Sequence, residues 1–411
     1  MHKSFKTMIK IDKGLLKGSL VLLVMFNLFN LINFIFQLTM ARMLTIGEYG
    51  TLATIFSLIY VMAIFSESIQ TVVAKFSSVE DEKEKIKNVL KRALRRAGKS
   101  GVLFLIAYLL ISIGLSYLLE IDYALLALNG LIVLAAFVMP VMRGVLQGKE
   151  KFVHLGANMI VEALVKIIFA VILVLIGWGV YGAIGASIVG SAVAFVVSVY
   201  FLKEIVNAKE KDAKITNYKG FSLPVLYIVA IIFIFFSLDI IIARIVFEEN
   251  FAGMYAVAST LGKIIFLGVQ PISKAMFPIV SSSKKKVSGL LRNSIFMISI
   301  LILLALFVFY FFPDLIIMLF SGKNISEAAS ILFLVGVAFS LQSITNVILL
   351  YKLAGSIRNY IPLAIIIPIQ AILLILFSSS LLSFSLALVG ASAIFLIGSI
   401  ILTKTSRGEE K

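Results

Sequence analysis

Apolar runs of about twenty residues recur along the whole of this chain, and no other feature constrains its fold so strongly. A helix of that length crosses the hydrocarbon core of a bilayer, where only helices and closed barrels satisfy their own backbone groups. We read twelve spans, at approximately 15–40, 49–74, 100–119, 123–146, 154–177, 180–202, 220–246, 251–273, 293–319, 327–350, 358–378 and 384–403. The expected fold is therefore an all-α integral membrane protein with 12 transmembrane helices. Hydrophobic residues make up 61% of the 411, more than a soluble domain of this size could bury. The first run is long and lacks a small-residue cleavage pattern, so no cleavable leader is expected.

A net charge of +16 would suggest nucleic acid in a soluble protein, but its placement argues otherwise. With the N-terminus in the cytoplasm, 32 of the 37 Lys and Arg fall on the inner side. Only Arg42, Arg244 and Lys323 fall outside, and Lys166 and Lys263 lie within spans. This positive-inside pattern predicts cytoplasmic N- and C-termini in a multi-pass protein of the cell membrane. The basic loops would meet anionic membrane lipids, with no nucleic acid needed. The absence of cysteine excludes disulfides and thiolate metal sites, and two histidines (His2 and His154) make a histidine centre improbable. No metal site and no cofactor are expected, and no phosphate-binding G-x-x-x-x-G-K-[ST] loop occurs.

Polar residues interrupt several spans at helical spacing. Span 1 carries Asn27, Asn30, Asn33 and Gln37 within about a third of the helix circumference. Span 2 carries Glu67 and Gln70, and span 7 carries Asp239. Span 8 sets Ser259, Lys263, Gln270 and Lys274 on one face. Span 5 places His154, Asn158, Glu162 and Lys166 at i, i+4 steps, an order that suits a Glu162–Lys166 ion pair within the helix. Gly182, Gly185 and Gly190 fit span 6 for close packing. The charged stretch VEDEKEKIKNVLKRALRRAGK reads as a helix lying along the inner membrane face.

The chain also repeats itself. ARMLTIGEYGTLA (from Ala41) is echoed by ARIVFEENFAGMYAVA (from Ala243), VLQGKEKF (from Val145) by KLAGSIRNY (from Lys352), and GAIGAS (from Gly182) by ALVGAS (from Ala387). The offsets, 202, 207 and 205, agree on one alignment. A shift of six spans preserves orientation, which predicts two six-helix bundles, 1–208 and 209–411, related as a parallel repeat.

Six plus six spans, ARxL…EYG after span 1 and VLQG before span 5 resemble the polysaccharide transporters of the Wzx type. These flippases of lipid-linked oligosaccharides belong to the multidrug/oligosaccharidyl-lipid/polysaccharide exporter superfamily. The resemblance covers nearly the whole chain. It implies V-shaped lobes around a central cavity lined by spans 1, 2, 7 and 8. It also implies a lipid-linked oligosaccharide on a polyprenyl phosphate or pyrophosphate carrier as substrate, alternating access, and no catalytic residues. A monomer suffices for that mechanism.

Each polar residue then has two readings. Lys263 either pairs with Glu67 or Asp239 or anchors a substrate phosphate. Arg42 and Arg244 either snorkel to the outer headgroups, the plainer reading, or bind phosphates. Glu67 and Asp239 either couple transport to H+ or Na+ or serve as structural partners. Four amides on one face of span 1 exceed what helix packing needs, which favours a cavity where they meet sugar hydroxyls. With Gln70 and Gln270, these residues form the expected substrate cavity. An ion-coupled antiporter exporting drugs or metabolites is the alternative, although the cations suit an anionic substrate better. A membrane-embedded oligosaccharide polymerase or ligase is a second alternative, disfavoured by the short outer loops.

Overall fold

A computed structural model describes residues 13–213, 222–282, 288–354 and 357–405. The expected N-terminal amphipathic lead-in and Lys284–Lys286 lie outside these residues. In the first half, α1 (Lys13–Met43), α2 (Ile46–Val79), α3 (Lys83–Leu119), α4 (Tyr123–Gly148), α5 (Phe152–Leu173) and α6 (Gly179–Phe201) precede a single turn, α7 (Lys203–Val206). The second half holds α8 (Ser222–Val246), α9 (Glu249–Ser282), α10 (Ser288–Phe311), α11 (Pro313–Ser321), α12 (Ser326–Ala354), α13 (Ile366–Leu376) and α14 (Leu381–Ile401).

Ten helices among the described residues are long and apolar enough to cross a membrane, against the twelve spans expected. One of the ten is Phe152–Phe201, a 50-residue stretch. It turns back on itself because Gly177 (φ 93°) and Gly179 (φ 48°) take a left-handed backbone that breaks the helix. The arms α5 and α6 pack together, and a Cβ on Gly190 would meet Glu162 O at 2.8 Å. The glycine-rich face of α6 is thus used for close approach. The stretch Ile361–Leu376 is apolar but shorter, starting as a 3-10 turn at Ile361–Ile365.

Two further expectations are corrected. The charged stretch after Val79 is not a separate surface helix, because α3 runs unbroken from Lys83 to Leu119. Span 9 is divided at Phe312, with Pro313 opening α11, since proline lacks the N–H that would continue α10. A two-residue antiparallel ladder, Ile357↔Thr405 and Arg358↔Lys404, is the small non-helical addition.

The halves are built alike. In the first, α2 packs on α4, α3 on α4, α5 on α6 and α1 on α5. In the second, α9 packs on α12, α10 on α12, α13 on α14 and α8 on α13. Between the halves, α2 packs against both α8 and α9, and α1 against α11. Large apolar side chains such as Leu103, Leu110, Phe296, Leu303 and Ile397 remain exposed on α3, α10 and α14. In a chain of membrane-length helices this is the surface lipid would cover.

Candidate substrate site

The most deeply buried charges lie between α8 and α9. Asp239 is sealed from solvent, and Tyr255, Ser259 and Lys263 converge on it from α9 at successive i+4 steps. Tyr255 Oη donates to Asp239 Oδ2 at 3.1 Å, Ser259 Oγ to the same oxygen at 2.5 Å, and Lys263 Nζ to Oδ1 at 3.0 Å. The ammonium also lies 4.9 Å from the Phe236 ring centroid and 5.5 Å from that of Phe339. Of the two partners the sequence offered Lys263, the fold selects Asp239. Both residues are engaged with each other rather than turned to an open cavity.

A second network fills the first half. Glu162 is bound by the Arg143 guanidinium and accepts from Ser191 Oγ at 2.7 Å. Arg143 Nε donates to Asn158 Oδ1 at 2.9 Å, and Asn158 Nδ2 donates to Ser198 Oγ at 2.9 Å. The expected Glu162–Lys166 pair is therefore not formed. Arg143 reaches Glu162 from α4 because Asn158 on the same face of α5 holds its Nε, whereas the i+4 lysine turns towards α1. There its ammonium donates to Asn33 Oδ1 and lies 4.5 Å from the centroid of Phe36 and 5.7 Å from that of Phe56. Lys166 makes no ion pair among the described residues. No spacing along α4 singles out Arg143, and its role becomes visible only when α4 and α5 are placed side by side.

The amide stripe divides. Asn33 meets Lys166, Gln37 Oε1 lies 3.3 Å from the Tyr49 hydroxyl, Asn30 is half-buried, and Asn27 is exposed with a partner of its own. Gln70 turns to α4 and donates to Gln147 Oε1 at 2.8 Å. Glu67 is exposed and Gln270 half-buried, whereas the groups hydrogen-bonded to Asp239 are Tyr255, Ser259 and Lys263.

At the end where α1 and α8 finish, the halves are fastened together. Arg244 is buried. Its Nε donates to Leu119 O at 2.8 Å and its Nη2 to Glu120 O at 3.1 Å, which satisfies carbonyls at the C-terminal end of α3. It does not snorkel to headgroups. Arg42, its counterpart in the repeat, donates to Leu319 O near the end of α11, and Lys323 Nζ donates to Ala41 O at 2.6 Å and Leu44 O at 2.7 Å. Each half thus caps a helix of the other with a cation.

Thr45 and Glu48 form a reciprocal capping box at the start of α2, which accounts for the acidic residue of EYG. The tyrosine hydroxyl lies 3.0 Å from Thr260 Oγ1 in the other half. The glycine lets α2 meet α9 backbone to backbone: a Cβ on Gly50 would sit 2.7 Å from Gly253 Cα. No group of three His, Asp or Glu that could hold a metal occurs among the described residues.

The sequence signature of a family described as "Polysaccharide biosynthesis protein" matches residues 15–284. The chain belongs to this family. An uncharacterised membrane protein of Methanocaldococcus jannaschii is 24% identical over 250 residues, 56% of this family member and 60% of that protein. The matched segment therefore spans less than two thirds of that relative. Among solved structures, a multidrug resistance MATE family transporter of the MOP superfamily, in an inward-facing conformation, gives a TM-score of 0.67 at 13% identity, covering 93% of this chain and 97% of that one. The lipid II flippase MurJ, inward closed, gives 0.68 at 13% identity, covering 92% and 87%. A MOP superfamily transporter from Pyrococcus furiosus, described as having a binding pocket of reversed polarity, gives 0.58 at 13% identity, covering 94% and 95%. The family member therefore has the fold of these transporters and is a multi-pass membrane protein.

Proposed function

We propose that this protein flips a lipid-linked oligosaccharide across the cell membrane by alternating access, with 1–208 and 209–411 as the two rocking lobes. In this reading the twelve spans come from dividing Phe152–Phe201 at its glycines and counting Ile361–Leu376. The termini face the cytoplasm, and the clustered cross-half contacts close the outer end. The carrier is polyprenyl phosphate or pyrophosphate.

The observation that carries the reading is Lys166. The buried pairs Lys263–Asp239 and Arg143–Glu162 each neutralise themselves. Lys166 touches only a neutral amide and two aromatic rings, and the nearby Glu162 carboxylate is already bound to Arg143, so Arg143, Glu162 and Lys166 together carry one net positive charge. A charge at membrane depth costs a few kcal/mol, and an anionic phosphate would relieve that cost. Asn30, half-buried about one turn along α1 from Asn33, is suited to a sugar hydroxyl. An ion-coupled antiporter draws support from the MATE-like fold and from Glu162 as a titratable group within the membrane.

Reconstituted protein should move a fluorescent polyprenyl-pyrophosphate oligosaccharide between leaflets. Failure to move it, together with export of a small cation against a proton or sodium gradient, would establish the antiporter instead.

A further inference from the structure

Outside that network, a cavity of about 420 Å³ opens between α2, α3 and α4, with Leu226 of α8 completing its wall from the other half of the chain. This is within the ordinary size range of small-molecule sites. Its lining is graded along one face of α3, where Arg92, Arg96, Ser100 and Phe104 follow at i+4 steps. At the end away from the arginines Phe104 packs against Phe65 and Phe137, with centroids 4.8 Å and 5.0 Å away. Two guanidiniums thus stand at one end of an apolar pocket and three phenyl rings at the other. From Arg92 to Phe104 the helix rises about 18 Å, roughly the depth of one leaflet of a 30 Å hydrocarbon core.

That gradient fits one kind of molecule, an amphiphile with a phosphate head and a long apolar chain. Arginine is the side chain best matched to phosphate oxygens. The pocket also lies where the two halves meet, so its occupant would stand at the seam through which a lipid-linked headgroup must pass. We propose that this pocket is a docking site for the polyprenyl-phosphate carrier, with its phosphate on Arg92 and Arg96 and its first isoprene units among Phe65, Phe104 and Phe137. The proposal rests on the flippase reading for the identity of the lipid. A built-in competitor sharpens it: Asp212, in the segment after α7, holds Arg92 Nη2 at 3.0 Å. That pair is exposed on both sides and correspondingly weak, so a phosphate can displace the carboxylate.

The test is binding of polyprenyl phosphate to the purified full-length protein in detergent, followed by native mass spectrometry, with the uncharged polyprenol and phosphatidylglycerol as comparison lipids. Polyprenyl phosphate is expected to bind in preference to both. Arg92→Ala/Arg96→Ala, or Ala93→Trp filling the pocket, should weaken it by about tenfold or more. Asp212→Asn should tighten it, a gain that misfolding cannot mimic. Binding unchanged in the arginine and tryptophan variants overturns the site. Equal binding of phosphatidylglycerol overturns the carrier as its occupant. Binding with these sensitivities in a protein that flips nothing would sustain the site and remove the flippase. Flipping without such binding would do the reverse.

Discussion

Lys263 Nζ lies 3.0 Å from Asp239 Oδ1, and both side chains are closed off from solvent. Removing one member leaves an uncompensated buried charge. Lys263→Ala is expected to destabilise the protein by about 3–5 kcal/mol, whereas Lys263→Met/Asp239→Leu should recover most of that loss. Thermal unfolding in detergent measures both. A single variant as stable as the double would show that the pair is not structural.

Lys166→Met should behave differently. Its loss leaves Glu162 paired with Arg143 and removes a cation that costs free energy at membrane depth, so the melting temperature should not fall. Flipping should fall by about tenfold or more, as expected for a lost contact to phosphate worth about 1.5–3 kcal/mol. Lys166→Arg should restore part of it. Equal loss of stability and transport would return Lys166 to the scaffold.

The fastening of the two halves predicts a conformational shift. A Cβ on Gly253 would lie 2.1 Å from Ile46 O, a backbone atom that cannot rotate away. Gly253→Ala should therefore push α9 from α2. Arg244→Ala should strand the carbonyls of Leu119 and Glu120, at about 1–3 kcal/mol if they stay buried. Because the chain lacks cysteine, spin labels can be placed at Tyr123→Cys and Asn250→Cys, one in each half at this end. Both variants should lengthen the measured distance, and an unchanged distribution would show that these contacts do not hold the end shut.

The segment after α7 offers a pH test. Lys211 and Lys85 hold Glu82 at a pKa of about 2 from an ordinary 4.5, while Lys83 pairs with Glu204 and Lys91 with Glu210. A depressed carboxylate pKa stabilises the fold above the unfolded value and loses that effect as pH falls through the folded one. The strap joining 203–213 to α3 should thus hold above about pH 4.5 and loosen towards pH 2. Since these groups are exposed, high salt should weaken it at neutral pH as well. Protease cleavage near Asp212 reports both effects, and salt-independent cleavage would contradict the ionic account.

Much of the scaffold was legible because its signals are local. The apolar runs mark helices, and the offsets of the repeat match two halves packed alike. The break at Gly177–Gly179 follows from backbone chemistry there and falls between the expected spans 5 and 6, whereas the expected span 9 runs through the break at Pro313. The site was less legible. Lys263 drew attention as an anchor because its partner is 24 residues away on another helix. Lys166 was overlooked because Glu162 stands four residues before it, where spacing alone predicts a pair.

The amino-acid sequence by itself determined that this chain is a helical membrane protein with a family signature, since length and hydropathy are properties of single segments. Only the tertiary structure decided which charges form ion pairs: Asp239 with Lys263 and Glu162 with Arg143, with Lys166 outside ion-pair contact among the described residues. The same holds for Arg42 and Arg244, whose partners lie in the opposite half. Charge pairing depends on a few ångströms between separate helices, and no spacing along one helix contains that distance.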